Sequence, residues 1–159
     1  MVDKHFHEKY KFEYFQSIDL IAARLWSIIS KLPNSSNVAF AGGSTFKKIL
    51  TVWAGLGEVP SGVKFYPVDE RFVPLESSGS NWGTAKRIFL ENKKDAFWFD
   101  FSIVDNQLVQ EYDKALKEVY QFRGCFFDLI LLGVGGDGHV ASLFPDSEVP
   151  EKKCVTVTQ

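Results

Sequence analysis

The chain has 159 residues, 45% of them hydrophobic and 24% charged, with a formal net charge of −2. That length is enough for one domain with a real core, and the ordinary balance of apolar and charged residues excludes a disordered chain. The lack of an overall basic field argues against nucleic acid as a partner but leaves room for one small anion.

Lys9 to Phe15 alternates charged and aromatic residues, the pattern of a half-exposed strand. Ser17 is a good N-cap, Asp19 suits the first turn, and Leu20, Ile21, Leu25, Ile28 and Ile29 recur at helical spacing before Pro33. After a polar turn over Asn34 to Asn37, Val38 to Ala41 reads as a brief buried strand. It delivers Gly42, Gly43, Ser44 and Thr45 to a helical run that ends near Leu56. Glycines at a strand-to-helix turn expose backbone N–H groups at the positive end of the helix dipole, which suits a phosphate. Lys47 or Lys48 would add charge. A plain turn with Ser44 or Thr45 as helix cap is the competing reading, and the spacing is not that of a Walker A loop.

Val63 to Val68 is the next predicted strand, and Asp69, Glu70 and Arg71 stand at its carboxyl end. A turn-rich link over Pro74 to Gly79 leads to Ser80 and Asn81, which open a helix running through Arg87 to Leu90. Ala96 to Val104 is aromatic and strand-like, with Trp98 read as core. Gln107 to Phe122 is amphipathic, with Leu108, Tyr112, Ala115, Leu116 and Val119 inward. Asp128 to Leu132 reads as an apolar strand covered on both faces, the most buried of the set. Val140 to Phe144 reads as one helical turn, and Cys154 to Thr158 as a final strand.

Between the apolar strand and that turn lies the richest stretch, with Gly133, Gly135, Gly136, Asp137, Gly138 and His139. Ligands in open α/β sheets bind just outside the carboxyl ends of the strands, so Asp137 and His139 form a candidate acid–imidazole pair. A satisfied structural histidine in a turn is the alternative. The spacing Gly133-x-Gly135-x-x-Gly138 also fits a dinucleotide fingerprint, but no βαβ unit with a downstream acidic residue follows, and Pro145 cuts the next helix short. The repeated strand–helix pattern reads as a single, mainly parallel, doubly wound α/β domain over residues 1–159, with three polar loops converging on one sheet edge. Cys125 and Cys154 lack ligand spacing, and His5 and His7 have no further ligands beside them. These residues fit a reducing, cytoplasmic setting with no metal. No apolar run is long enough for a membrane span, and the first residues do not resemble a signal peptide.

Four motifs in order carry a resemblance: Gly42-Gly43-Ser44-Thr45; Asp69-Glu70-Arg71 with Val73-Pro74; Ser80-Asn81; and Leu131-Leu132-Gly133 through Asp137-Gly138-His139 to Ala141-Ser142-Leu143-Phe144-Pro145. Together they resemble the 6-phosphogluconolactonases, in a sugar-phosphate family that also holds the glucosamine-6-phosphate deaminases. The deaminases usually carry Tyr in place of Arg71 and an Asn-Glu-Pro segment near Pro145, so the lactonases are the better match. Phe46 replaces a usual Pro, and Pro67-Val68 replaces an aromatic-Gly lead. Family members also continue well beyond Val157, adding strands and a basic residue near the phosphate, which implies a domain incomplete at its C-terminus.

The resemblance implies hydrolysis of 6-phospho-D-glucono-1,5-lactone to 6-phosphogluconate in the oxidative pentose phosphate pathway. That reaction needs a water, a base and donors for the developing oxyanion. His139 is the expected base, kept neutral if it stands at a helix N-terminus, with Asp137 holding its tautomer. Arg71 is expected to bind lactone oxygens or fix Asp137. Gly42, Gly43, Ser44, Thr45, Asp69 and Asn81 are expected to hold the substrate and its phosphate, and the N–H groups of Gly135, Gly136 and Gly138 the oxyanion. No metal or organic cofactor is needed. The alternatives are a glucosamine-6-phosphate deaminase or isomerase, and a sugar-phosphate sensor without turnover.

Overall fold

Four short parallel strands, β1 (Asn37–Phe40), β2 (Lys64–Pro67), β3 (Phe97–Trp98) and β4 (Leu129–Leu131), form a sheet of order β3-β2-β1-β4. They belong to a computed structural model that describes residues 10–94, 96–99, 106–147 and 155. In register, Phe40 lies opposite Pro67 on one side and Leu131 on the other. Among the described residues four α-helices accompany the strands: α1 (Ile18–Ile29) ahead of β1, and α2 (Gly43–Ala54), α3 (Asn81–Ile88) and α4 (Asn106–Arg123) in the connections. The chain steps from β1 to β2 to β3 in one direction, then crosses back through α4 to place β4 on the far side of β1. With right-handed crossovers, α2 and α3 cover one face and α4 the other. The fold is therefore the doubly wound α/β type expected.

The core forms where the aromatic side chains meet. Phe40 on β1 lies 6.0 Å from Phe46, 6.0 Å from Phe65 and 5.5 Å from Trp82 between ring centroids, spacings typical of favourable aromatic pairs. Phe46, at the position noted as a departure from the usual Pro, is thus a core residue. Trp53 is fully buried, and its indole N–H is satisfied by the Ala22 carbonyl at 2.8 Å, which ties α2 to α1. Lys93 is buried as well; its ammonium donates to the carbonyls of Leu56 (2.6 Å) and Gly57 (3.0 Å) just beyond α2 and lies over the Trp26 ring. The amino end of β4 is clamped to β1, since Asp128 accepts from the Asn37 backbone N–H at 2.7 Å and from Arg123 at 2.8 and 2.9 Å.

Several expectations are corrected. Tyr10 to Phe15 is not a strand. Glu13 is instead tied to Arg24 of α1 at 2.7 and 2.8 Å, so the segment has no sheet neighbour to pair with. Leu20 faces outward, half exposed, although Ser17 caps α1 as foreseen by accepting from the Leu20 N–H. No helical turn follows His139. Val140 makes antiparallel bridges with Val134 and Leu143, and Ala141 has φ +53°, a left-handed step that breaks any helix. β4 is not covered on both faces, because among the described residues it is an outer strand; Ile130 and Leu132 are each 51% exposed. The strand buried along its whole length is β1. Three expectations lie outside the described residues: those for His5 and His7, for residues 100–104, and for all but Val155 of the strand predicted over Cys154 to Thr158.

Candidate active site

The chain leaves β1 for β2 on one side and returns to place β4 on the other, which makes a switch point beside β1. Ligands of open α/β sheets lie in the crevice outside such strand ends. Pairing persists to the edge of that crevice, since the Ala41 N–H still donates to the Leu131 carbonyl at 3.0 Å. One residue later the first strand opens into Gly42, and two residues later the other opens into Gly133.

The β1 exit makes a cleft of about 250 Å³, lined by Gly42, Gly43, Ser44 and Lys47 on one side and by Arg71, Ser78, Ser80 and Asn81 on the other. α2 starts at Gly43, with Gly42 as its N-cap and no side-chain cap, so neither Ser44 nor Thr45 plays that part. The first N–H groups of α2 have no acceptor within the helix, and no acidic residue in its first turn offsets the positive dipole end. Gly42 is required by close approach: a Cβ there would overlap the Asn81 side chain. Thr45 is exposed and outside the cleft lining, and Lys47 rather than Lys48 borders it.

Asp69, Glu70 and Arg71 separate into three roles. Glu70 is a structural hub. Its Oε1 accepts from the backbone N–H groups of Arg71 (2.7 Å) and Asn81 (2.9 Å), and its Oε2 from the Ser80 hydroxyl (2.8 Å) and the Trp82 N–H (2.7 Å). It therefore caps α3 from outside the helix, while Ser80 caps it from within by accepting from the Gly83 N–H. Arg71 donates to the Gly79 carbonyl at 2.9 Å and does not fix Asp137, as one expectation had it. Asp69 accepts from the Ser142 hydroxyl at 2.9 Å. Sequence reasoning missed Glu70 and Ser142 because their partners lie far along the chain; only Ser80 had a local signal, as a cap before a helical pattern.

On the β4 exit loop, His139 and Asp137 meet as foreseen. The His139 Nδ1 lies 2.5 Å from Asp137 Oδ1, which also accepts from the His139 backbone N–H at 3.2 Å. These bonds from His139, first the ring and then the backbone, hold the Asp137 carboxyl below its ordinary range. With Nδ1–H donated to the carboxylate, Nε2 carries the lone pair and is the nitrogen able to accept a proton. No helix stands at His139, so the expected helix N-terminus is absent there. The Phe144 ring lies 5.0 Å from the imidazole instead. Within the loop, the Gly135 N–H donates to the His139 carbonyl and the Gly138 N–H to the Gly135 carbonyl, whereas the Gly136 N–H makes none of these bonds. Among the described residues, Gly133 and Gly136 are the loop glycines whose N–H groups make no backbone hydrogen bond. The His139 ring does not border the β1 cleft itself. No group of three or more His, Cys, Asp or Glu side chains gathers as a metal site among the described residues. No helix there is long and apolar enough to cross a membrane.

Residues 16–159 match the family described as glucosamine-6-phosphate isomerases/6-phosphogluconolactonase. The chain belongs to this family. Among its members, a probable 6-phosphogluconolactonase of Dictyostelium discoideum is 29% identical over 130 residues, covering 76% of this chain and 55% of the relative. A 6-phosphogluconolactonase of Thermotoga maritima is 28% identical over 151 residues, covering 89% and 66%. The solved structure of the Trypanosoma brucei 6-phosphogluconolactonase superposes with a TM-score of 0.68 at 27% identity, covering 86% of this chain and 64% of that one. This family member thus spans 55% to 66% of the three proteins.

Proposed function

We propose that the chain carries the reaction centre of a 6-phosphogluconolactonase, which hydrolyses 6-phospho-D-glucono-1,5-lactone to 6-phosphogluconate. The observation that carries this reading is the His139 ring, with Nδ1 turned to Asp137 and Nε2 left as the acceptor, on the loop beside the β1 exit. The names of the relatives support it. A water attacks the lactone carbonyl while Nε2 takes its proton, and the carbonyl oxygen becomes an oxyanion. The Gly136 N–H, unbonded within the loop, is a donor for that oxygen. Collapse breaks the bond to the ring oxygen, which takes the proton back from the imidazolium, and the new carboxyl group ionises in water. Asp137 stays ionised throughout, steadying the imidazolium as the acid of a catalytic triad does.

The cleft at the N-terminus of α2, with Lys47 and Arg71 at its border, receives the 6-phosphate. Arg71, Asp69 and Asn81 then lie on the side from which the sugar's oxygens are met. The test is lactone hydrolysis followed directly, with the spontaneous rate in water subtracted, alongside ammonia release from glucosamine 6-phosphate. Turnover of the lactone without ammonia is expected. Ammonia release would assign the site to the deaminases, and 6-phosphogluconate binding without either activity would make the protein a sensor.

A further inference from the structure

We propose that Ser142 is a positioning residue: its hydroxyl ties the His139 loop across the exit of β1 and holds Asp69 with Oδ1 open to a hydroxyl of the bound sugar phosphate. The second half of this proposal rests on the function proposed above.

Asp69 follows β2, and Ser142 lies on the loop after β4. β2 and β4 flank β1 on its two sides, so the 2.9 Å bond from Ser142 Oγ to Asp69 Oδ2 bridges the exit of the central strand. It is a direct link between the loop that carries His139 and the segment that carries Arg71. The other carboxylate oxygen, Asp69 Oδ1, is buried and has no hydrogen-bond partner among the described residues. Buried carboxylate oxygens are nearly always satisfied, and an exception calls for an absent donor. A sugar hydroxyl supplies such a donor without adding charge, whereas a bare phosphate brings negative charge against the carboxylate.

The backbone gives an independent sign. Ala141 has φ +53°, a region that residues with a Cβ seldom occupy and that costs free energy to hold. It immediately precedes Ser142, and the left-handed step turns the chain out of the helical path that the sequence pattern alone suggests. Strain of this kind persists where surrounding contacts over-determine it. The Ser142–Asp69 bond and the bridges of Val140 with Val134 and Leu143 are those contacts.

Ser142→Ala and Ser142→Thr test this in two measurements. The first is amide hydrogen exchange without ligand at Gly135, Gly138 and Val140, whose N–H groups donate within the loop at 2.8, 3.0 and 3.1 Å. Ser142→Ala is expected to speed their exchange several-fold, and Ser142→Thr, which keeps the hydroxyl, to restore it. Unchanged exchange in the alanine variant overturns the tie. The second is calorimetry with 6-phosphogluconate and with inorganic phosphate. Losing one hydrogen bond to a charged group should weaken 6-phosphogluconate binding by about tenfold in Ser142→Ala, with phosphate affinity unchanged and Thr restoring the parent value. No loss, or an equal loss for both ligands, overturns the role of Asp69 Oδ1. A parent protein that binds phosphate but not 6-phosphogluconate refutes the sugar-phosphate reading itself, while the exchange measurement still decides the tie.

Discussion

Gly135 lies against the His139 ring so closely that a side-chain carbon at this glycine would run into Cε1 and Nδ1 of the imidazole, and would stand 2.8 Å from Asp137 Oδ1. The acid–imidazole pair therefore occupies the space that any other residue at position 135 would fill. Gly135→Ala should displace the pair and lower lactone turnover by about 10²-fold, the cost of misplacing a reacting group by roughly 1 Å. Gly133, where nothing lies within 4 Å of an added Cβ, provides the control, and Gly133→Ala should turn over as the parent does. Equal rates for the two variants would detach the pair from catalysis.

His139→Asn keeps a polar side chain of similar size but cannot take up the proton. Turnover should fall by about 10²–10⁴-fold, the usual contribution of a general base, with 6-phosphogluconate affinity little changed. Steady-state kinetics with the spontaneous rate subtracted decide it. A kcat within about threefold of the parent, far short of that loss, would leave His139 structural and return the base role to Asp69, since Glu70 is already occupied by four donors.

Glu70→Ala removes an acceptor shared by three backbone N–H groups and the Ser80 hydroxyl, uncapping α3. A loss of about 2–4 kcal/mol is expected, lowering the melting temperature by roughly 5–15 °C. Glu70→Gln, with one carbonyl oxygen in place of two carboxylate oxygens, should fall between. Thermal unfolding followed by circular dichroism measures both, and a Glu70→Ala transition at the parent temperature would contradict the hub role.

Glu13 is held down from its ordinary 4.5 to about 2, first by its hydrogen bonds to Arg24 and Lys11. A carboxylate lowered by folding stabilises the native state above its unfolded value, and that stabilisation fades as pH falls from 4.5 toward 2, because the unfolded chain binds the proton first. Urea unfolding across this acid range should show a shallower decline for Glu13→Gln than for the parent. Salt should narrow the difference, because the pair is near the surface. Parallel curves for the two proteins would show that the tie between the first segment and α1 adds nothing.

Much of this architecture was legible from local pattern. The apolar runs at Val38, Val63 and Asp128, each ending in glycine or charge, mark strands and their exits, because a buried strand and the loop leaving it differ sharply in composition. Asp137 and His139 could be paired from spacing alone, since two residues in a tight glycine loop reach each other without help from the rest of the fold.

Only the tertiary structure decided the rest, wherever a partner lies far along the chain. Glu70 reads as one of three surface charges until the N–H groups of Asn81 and Trp82 arrive beneath it. Ser142 reads as part of a helical turn until the left-handed step at Ala141 carries it to Asp69, 73 residues back. β4 has the composition of a doubly covered strand, yet its exposure follows from strand order, with Ile130 on an outer strand of the described sheet and Leu132 just beyond it. Composition records what a residue tolerates; which neighbours satisfy its hydrogen bonds depends on contacts between distant segments, and those exist only once the sheet has assembled.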